Sequence, residues 1–211
     1  MAPLRSKLPQ VFTFCRCVLC VLFFLLAIAA APLRAQQLVL EFDPSQTQVE
    51  FSLGATFHTV HGGFSLKSGL IRLDPVTGKA GGQIIVDAAS GASGNQGRDK
   101  RMHREILESQ KFAEIVFLPD RVEGQIPPQG DFHVTVHGTF RLHGSDHETA
   151  LDVQAQRNPD GITAAAHFAI PYVKWGIKNP STFFLHVSDQ VQIRIHTVVR
   201  SSASPAAAPP H

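Results

Sequence analysis

Residues 132–143 read Phe-His-Val-Thr-Val-His-Gly-Thr-Phe-Arg-Leu-His, with apolar or small side chains at the even positions and polar ones at the odd positions. Successive side chains of a β-strand point to opposite faces, so this alternation predicts a long strand with one buried face. The same period of two residues returns at residues 49–53, 84–88, 115–117, 151–155, 162–172 and 191–196. The pattern predicts about eight or nine strands in all.

The connections between these strands are short and carry turn residues, such as Asp74-Pro75 and Asn158-Pro159-Asp160-Gly161. No helical pattern alternates with the strands, which favours an all-β antiparallel sheet. The one exception is residues 98–108, which predict a short amphipathic helix with Met102 and Ile106 on its apolar side. Long strands with one apolar face favour a closed or nearly closed barrel, and a two-sheet sandwich remains the alternative.

The first 35 residues have the pattern of an export signal. Basic residues Arg5, Lys7 and Arg16 precede an uncharged run over residues 18–31, which is shorter than the roughly 20 residues that span a bilayer. We therefore predict a signal peptide over residues 1–35, cleaved before Gln36, and a periplasmic or secreted protein; an uncleaved anchor is the alternative. We further predict one domain over residues 36–200 and a disordered Ser/Ala/Pro-rich tail over residues 201–211.

Composition excludes several classes of protein. All three cysteines, Cys15, Cys17 and Cys20, lie inside the predicted signal peptide, so the exported domain has no disulfide, thiolate metal site or cysteine nucleophile. Residues 36–211 contain 15 basic and 17 acidic residues with no long basic run, which argues against nucleic-acid binding.

Histidine is the one residue type that suggests chemistry. His133 and His137 share a strand face, with His143 further along, but that face is the polar one, so a solvated outer face is the favoured interpretation. The sequence has neither His-Glu-x-x-His nor Gly-x-Ser-x-Gly. We predict no metal, no cofactor and no catalysis; a hydrolase or histidine-dependent metalloenzyme on the same barrel is the alternative.

A cluster of basic residues lies on the predicted helix, at Arg98, Lys100, Arg101 and Arg104. We predict that it meets an anionic headgroup at the mouth of a cavity, and a solvated helix face is the alternative.

Several motifs, in their order and spacing, resemble the YceI-like family from Leu38 to Val199. They are Glu41-Phe-Asp-Pro44, Val60-His-Gly-Gly-Phe64, Arg98-Asp-Lys100, Val136-His-Gly-Thr-Phe-Arg-Leu-His-Gly144 and Trp175-Gly-Ile-Lys-Asn179. The resemblance implies a lipocalin-like extended antiparallel barrel with a long apolar tunnel. It also implies an exported, non-catalytic protein that binds a polyisoprenoid or another long-chain lipid.

Inward-facing residues would then line one continuous lipid-binding tunnel, with Tyr172 and Trp175 near one end, where an aromatic ring with a polar tip faces both lipid and water. The other predicted lining residues are Phe51, Leu53, Phe64, Phe117, Val134, Val136, Phe140, Phe168 and Ile170. The lipid is the only expected partner, with the membrane involved only as its source; a homodimer is left open.

Overall fold

The computed structural model describes residues 36–159 and 161–205. It contains eight strands: β1 (Gln36–Gly54), β2 (Thr59–Leu73), β3 (Ala80–Ala92), β4 (Glu114–Glu123), β5 (Gly130–Leu142), β6 (Ser145–Asn158), β7 (Gly161–Ile170) and β8 (Val191–Pro205). Between β3 and β4 lies helix α1 (Gln96–Arg101), which continues as one π-helical turn, Met102–Ile106.

The strands form a closed barrel in which each strand pairs antiparallel with the next and β8 pairs with β1. This confirms the predicted all-β antiparallel barrel of about eight strands with one short helix. Strand β5 shows why the alternation was informative, since Val134, Phe140 and Leu142 are buried inside while His133 and Arg141 are exposed outside. The β6–β7 pairing is partial, since it covers only residues 153–158 of β6 and 161–166 of β7.

Because consecutive strands are antiparallel, successive connections lie at alternate ends of the barrel. The end that carries α1, called here the helix end, holds residues 55–58, 93–113, 143–144 and 171–190. The opposite end holds residues 74–79 and 124–129 and the tight turn after Asn158. The helix end thus carries most of the irregular chain in the part that the structure describes.

Two boundaries differ from the sequence-based predictions. The helical segment runs over residues 96–106 instead of 98–108, because the Asn95 side chain accepts a hydrogen bond from the Arg98 backbone N–H (3.0 Å) and caps α1. Residues 201–205, predicted as disordered tail, continue β8 and pair with residues 36–40 of β1. Backbone pairing does not require apolar side chains, so composition missed it.

Some predictions fall outside the described residues. These are the signal peptide over residues 1–35 and the rest of the tail, residues 206–211. Within the described ranges, no helix combines the length and the hydropathy that crossing a membrane requires.

Candidate functional site

A cavity of about 560 Å³ lies at the helix end of the barrel and is called here the larger cavity, since the second one described below is smaller. Volumes of this order are typical of pockets that hold small organic ligands. Its walls are mostly aliphatic and aromatic and come from β1, β2, β4, β5, β7, β8, the helical segment and the β7–β8 connection. They include Phe51, Leu53, Val60, Phe64, Met102, Ile106, Ile170, Tyr172, Ile177, Leu185, Val187, Val191 and Ile193.

The polar part of this lining is small and basic. Arg98 and Arg101 both border the larger cavity, together with His58 and Ser93. The Arg98 guanidinium is fixed at the cavity wall because its Nε donates to Ser93 Oγ (2.7 Å) and its terminal nitrogen donates to the Ser93 carbonyl (2.9 Å). The cavity therefore combines an apolar interior with guanidinium groups on one side.

The four predicted headgroup residues do not all reach this position. Lys100 and Arg104 do not border the cavity, whereas Arg98 and Arg101 do. Glu105 accepts hydrogen bonds from Arg104 and from Arg101 Nε (3.3 Å), and these contacts lower the pKa of its carboxyl group, the Arg104 contact most. Glu105 thus offsets part of the positive charge of Arg101.

Tyr172 lies at the start of the β7–β8 connection and is almost fully buried. Its hydroxyl donates to the Ser188 carbonyl (2.6 Å), which ties the two ends of the connection together. Burial raises the pKa of the phenol to about 12, so the group stays protonated and remains a donor. The ring forms part of the cavity wall, while the hydroxyl bonds to the backbone.

Replacing Tyr172 with phenylalanine tests this tie without changing the shape of the wall. The Ser188 carbonyl would lose its donor, so we expect the free energy of unfolding to fall by about 1–2 kcal/mol. Urea denaturation followed by circular dichroism measures the change. An unchanged midpoint would mean that the hydrogen bond contributes nothing to stability.

A second cavity, of about 180 Å³, lies deeper in the barrel. Its wall is almost entirely apolar and includes Leu40, Phe42, Leu73, Phe117, Val134, Val136, Phe140, Leu151 and Val199.

Aromatic rings stand between the two cavities. The ring centroid of Phe140 lies 5.0 Å from that of Phe117, 5.8 Å from Phe168 and 6.3 Å from Trp175. Ile115, Phe168 and Trp175 pack against the buried groups on both sides. The two cavities share Ile115 in their linings, and one continuous tunnel through the barrel stays a prediction.

The predicted lining residues are divided between the two cavities. Phe51, Leu53, Phe64, Ile170 and Tyr172 line the larger cavity. Phe117, Val134, Val136 and Phe140 line the smaller one. Phe168 and Trp175 line neither and pack between them.

His147 was missed by the sequence analysis. It pairs with Phe140 across the β5–β6 ladder, and its ring stacks flat on Trp175, with centroids 4.2 Å apart. Its Nε2 atom is buried without a hydrogen-bond partner. Leu151 and Val153 face inwards on β6. Continuing this alternation back along the strand, from Leu151 to Thr149 and then to His147, would have placed His147 on the inward face.

The histidines considered for metal binding do not converge. His137 Nε2 lies 3.3 Å from Glu123 Oε2, and His143 Nε2 lies 2.8 Å from Glu108 Oε2, while His133 is exposed. Each of the first two thus faces a different carboxylate. In residues 36–159 and 161–205, no group of three or more potential ligands is arranged to hold a metal ion.

These features define a class, the small closed antiparallel barrel with an apolar interior and a basic rim. The YceI-like domain model matches residues 40–199, and the protein belongs to the YceI-like family. No curated protein matches the chain.

Solved structures of the same fold come from several bacteria. BcnA of Burkholderia cenocepacia is 16% identical, with a TM-score of 0.61 over 74% of this chain and 98% of that one. A polyisoprenoid binding domain from Saccharophagus degradans is 15% identical, with a TM-score of 0.58 over 77% and 98% of the two chains. The YCEI protein of Campylobacter jejuni is 18% identical, with a TM-score of 0.53 over 72% and 88%.

Proposed function

We propose that the protein is an exported, non-catalytic carrier that holds a polyisoprenoid or another long-chain lipid inside its barrel. The observation that carries the proposal is the larger cavity, about 560 Å³ of mostly apolar space with arginines at one side. A hydrocarbon chain gains about 0.8 kcal/mol for each methylene transferred from water into such surroundings. The S. degradans domain, described as polyisoprenoid binding, supports the same ligand class.

The arginines beside the cavity suggest the charge of the lipid headgroup. Arg98 and Arg101 border the cavity, and a guanidinium binds phosphate through paired, charge-assisted hydrogen bonds. A lipid with a phosphate or carboxylate headgroup would place its chain among the apolar residues and its charge beside these two side chains. Lys100 and Arg104, which lie away from the cavity wall, would contribute only at longer range.

The proposed setting is the periplasm or the outside of the cell. Export follows from the predicted signal peptide over residues 1–35, and long-chain lipids there need a protein to pass through water. The histidines of the alternative, a hydrolase or metalloenzyme, face separate carboxylates, which gives that alternative no support.

Reversing one charge at the cavity wall tests the headgroup role. We expect Arg101→Glu to weaken binding of a polyprenyl phosphate at least tenfold, because a favourable charged contact of about 1.5–3 kcal/mol becomes repulsive. Binding of the matched uncharged polyprenol should stay within about twofold. Fluorescence titration with labelled versions of both lipids measures the difference.

Lys100→Glu is the matched control, since it makes the same change of charge on the exposed side of the same helix. We expect it to leave both affinities nearly unchanged. Equal weakening of the two lipids by Arg101→Glu, or an equal effect of Lys100→Glu, would contradict a headgroup site at the cavity wall.

A further inference from the structure

Three phenylalanine side chains at the helix end are exposed to solvent: Phe57 at 83%, Phe183 at 94% and Phe184 at 85% of their surface. The rings of Phe183 and Phe184 meet edge-on, with centroids 5.0 Å apart. These three residues are called here the aromatic rim. We propose that the aromatic rim docks the protein on an anionic lipid bilayer, with the phenylalanine rings inserted among the lipid headgroups.

The local backbone presents Phe183 and Phe184 outwards. The Thr182 backbone N–H donates to the Leu185 carbonyl (2.9 Å), and the Leu185 N–H donates to Thr182 Oγ1 (3.2 Å). Phe183 and Phe184 therefore occupy the two corner positions of a tight turn. Leu185, the next residue, lines the larger cavity, so the turn joins the cavity wall to the exposed rings.

The loop that carries Phe57 is fixed beside this turn. The Thr56 N–H donates to the His186 carbonyl (2.9 Å), and the His186 N–H donates in return to Thr56 Oγ1 (2.9 Å). Ala55 and Val187 form a β-bridge next to these bonds, and both line the larger cavity. The aromatic rim is thus one connected surface at the edge of that cavity.

The net positive charge of the helix end indicates what kind of partner it would bind. Its four connections carry seven basic and four acidic residues, whereas residues 36–211 as a whole carry 15 basic and 17 acidic ones. A basic surface with protruding aromatic side chains matches an anionic membrane, which attracts lysine and arginine and accepts aromatic rings in its interface. A second copy docked by the same face would bring positive charge against positive charge.

The inference rests on the proposed function in one respect, since docking there would bring the edge of the lipid cavity against the membrane that supplies the lipid. Docking itself requires no bound lipid, so the two ideas can fail separately.

Co-sedimentation with vesicles tests the proposal directly. We expect the wild-type protein to sediment with vesicles of phosphatidylglycerol and phosphatidylethanolamine and to bind vesicles of phosphatidylcholine at least tenfold less. The triple variant Phe57→Ser, Phe183→Ser and Phe184→Ser should lose at least nine-tenths of its binding to the anionic vesicles. Val76→Ser is the matched control, because Val76 is also 83% exposed but lies at the opposite end.

Three results would overturn the proposal. One is a triple variant, folded by circular dichroism, that binds anionic vesicles as well as the wild type. Another is loss of binding in Val76→Ser. The third is a wild-type dimer in vesicle-free ultracentrifugation that the triple variant converts to a monomer, which would assign the aromatic rim to self-association. Detergent-solubilised polyprenol titrated into the triple variant reports on the lipid cavity separately and should bind unchanged.

Discussion

Filling the larger cavity is expected to abolish lipid binding. Leu53 and Val191 both line it, on β1 and β8, so the double variant Leu53→Trp, Val191→Trp places two indole rings where the lipid chain would lie. If this excludes about four methylenes, the lost transfer free energy is about 3 kcal/mol, or a hundredfold in affinity. Titration with a fluorescent polyprenol measures the loss.

The control is the double variant Gln190→Trp, Gln192→Trp. Both glutamines are exposed and flank Val191 in sequence, so the same two side chains are added outside the cavity. We expect binding within about twofold of the wild type. If the cavity-filling variant folds and still binds polyprenol normally, the chain of the lipid does not occupy the larger cavity.

The second large effect concerns the aromatic rings between the cavities. Phe140 is buried and contacts Phe117, Phe168 and Trp175. Phe140→Ala removes these contacts and leaves an enlarged void, so we expect the free energy of unfolding to fall by about 3–5 kcal/mol. Urea denaturation of the purified variant gives this value.

Phe57→Ala deletes the same ring from an exposed position and serves as the control. Substitutions at such surface positions change stability by about 0.5 kcal/mol or less. Equal destabilisation by the two variants would show that the packing between the cavities does not stabilise the barrel.

Much of the fold could be predicted from side-chain alternation alone. On β5, every even position from Val134 to Leu142 that carries a large apolar residue faces the barrel interior. On β2 the apolar residues change from even positions (Phe64, Leu66) to odd positions (Ile71, Leu73), and the β2–β3 ladder shifts register between Leu66 and Ser68. Alternation depends only on residues that are neighbours in sequence, so the sequence of a single strand reveals it.

The organisation of the interior could not be predicted in this way. Trp175 belongs to a connection, where no alternation applies, and its contact with His147 joins residues distant in sequence. The contacts of Phe140 with Phe168 and Trp175 join β5 to β7 and to the β7–β8 connection, which is a property of packing. The pairing of residues 201–205 with β1 depends on the backbone, so a Ser/Ala/Pro-rich sequence hides it.

The positions of the basic residues at the candidate site likewise could not be predicted from the sequence. Spacing on a helix placed Arg98, Lys100, Arg101 and Arg104 in one segment, but only the fold distinguishes those that border the cavity. The bond from Arg98 to Ser93 depends on how the loop before α1 folds back, and no motif indicates this.

The most direct test of the lipid-carrier proposal is mass spectrometry of an organic extract of the protein, purified without detergent from cells that export it. We predict one long-chain lipid per protein chain, and its absence from the extract of the Leu53→Trp, Val191→Trp variant prepared in parallel. A folded wild-type protein that yields no lipid above background, or equal lipid from both proteins, would contradict a carrier function of the barrel.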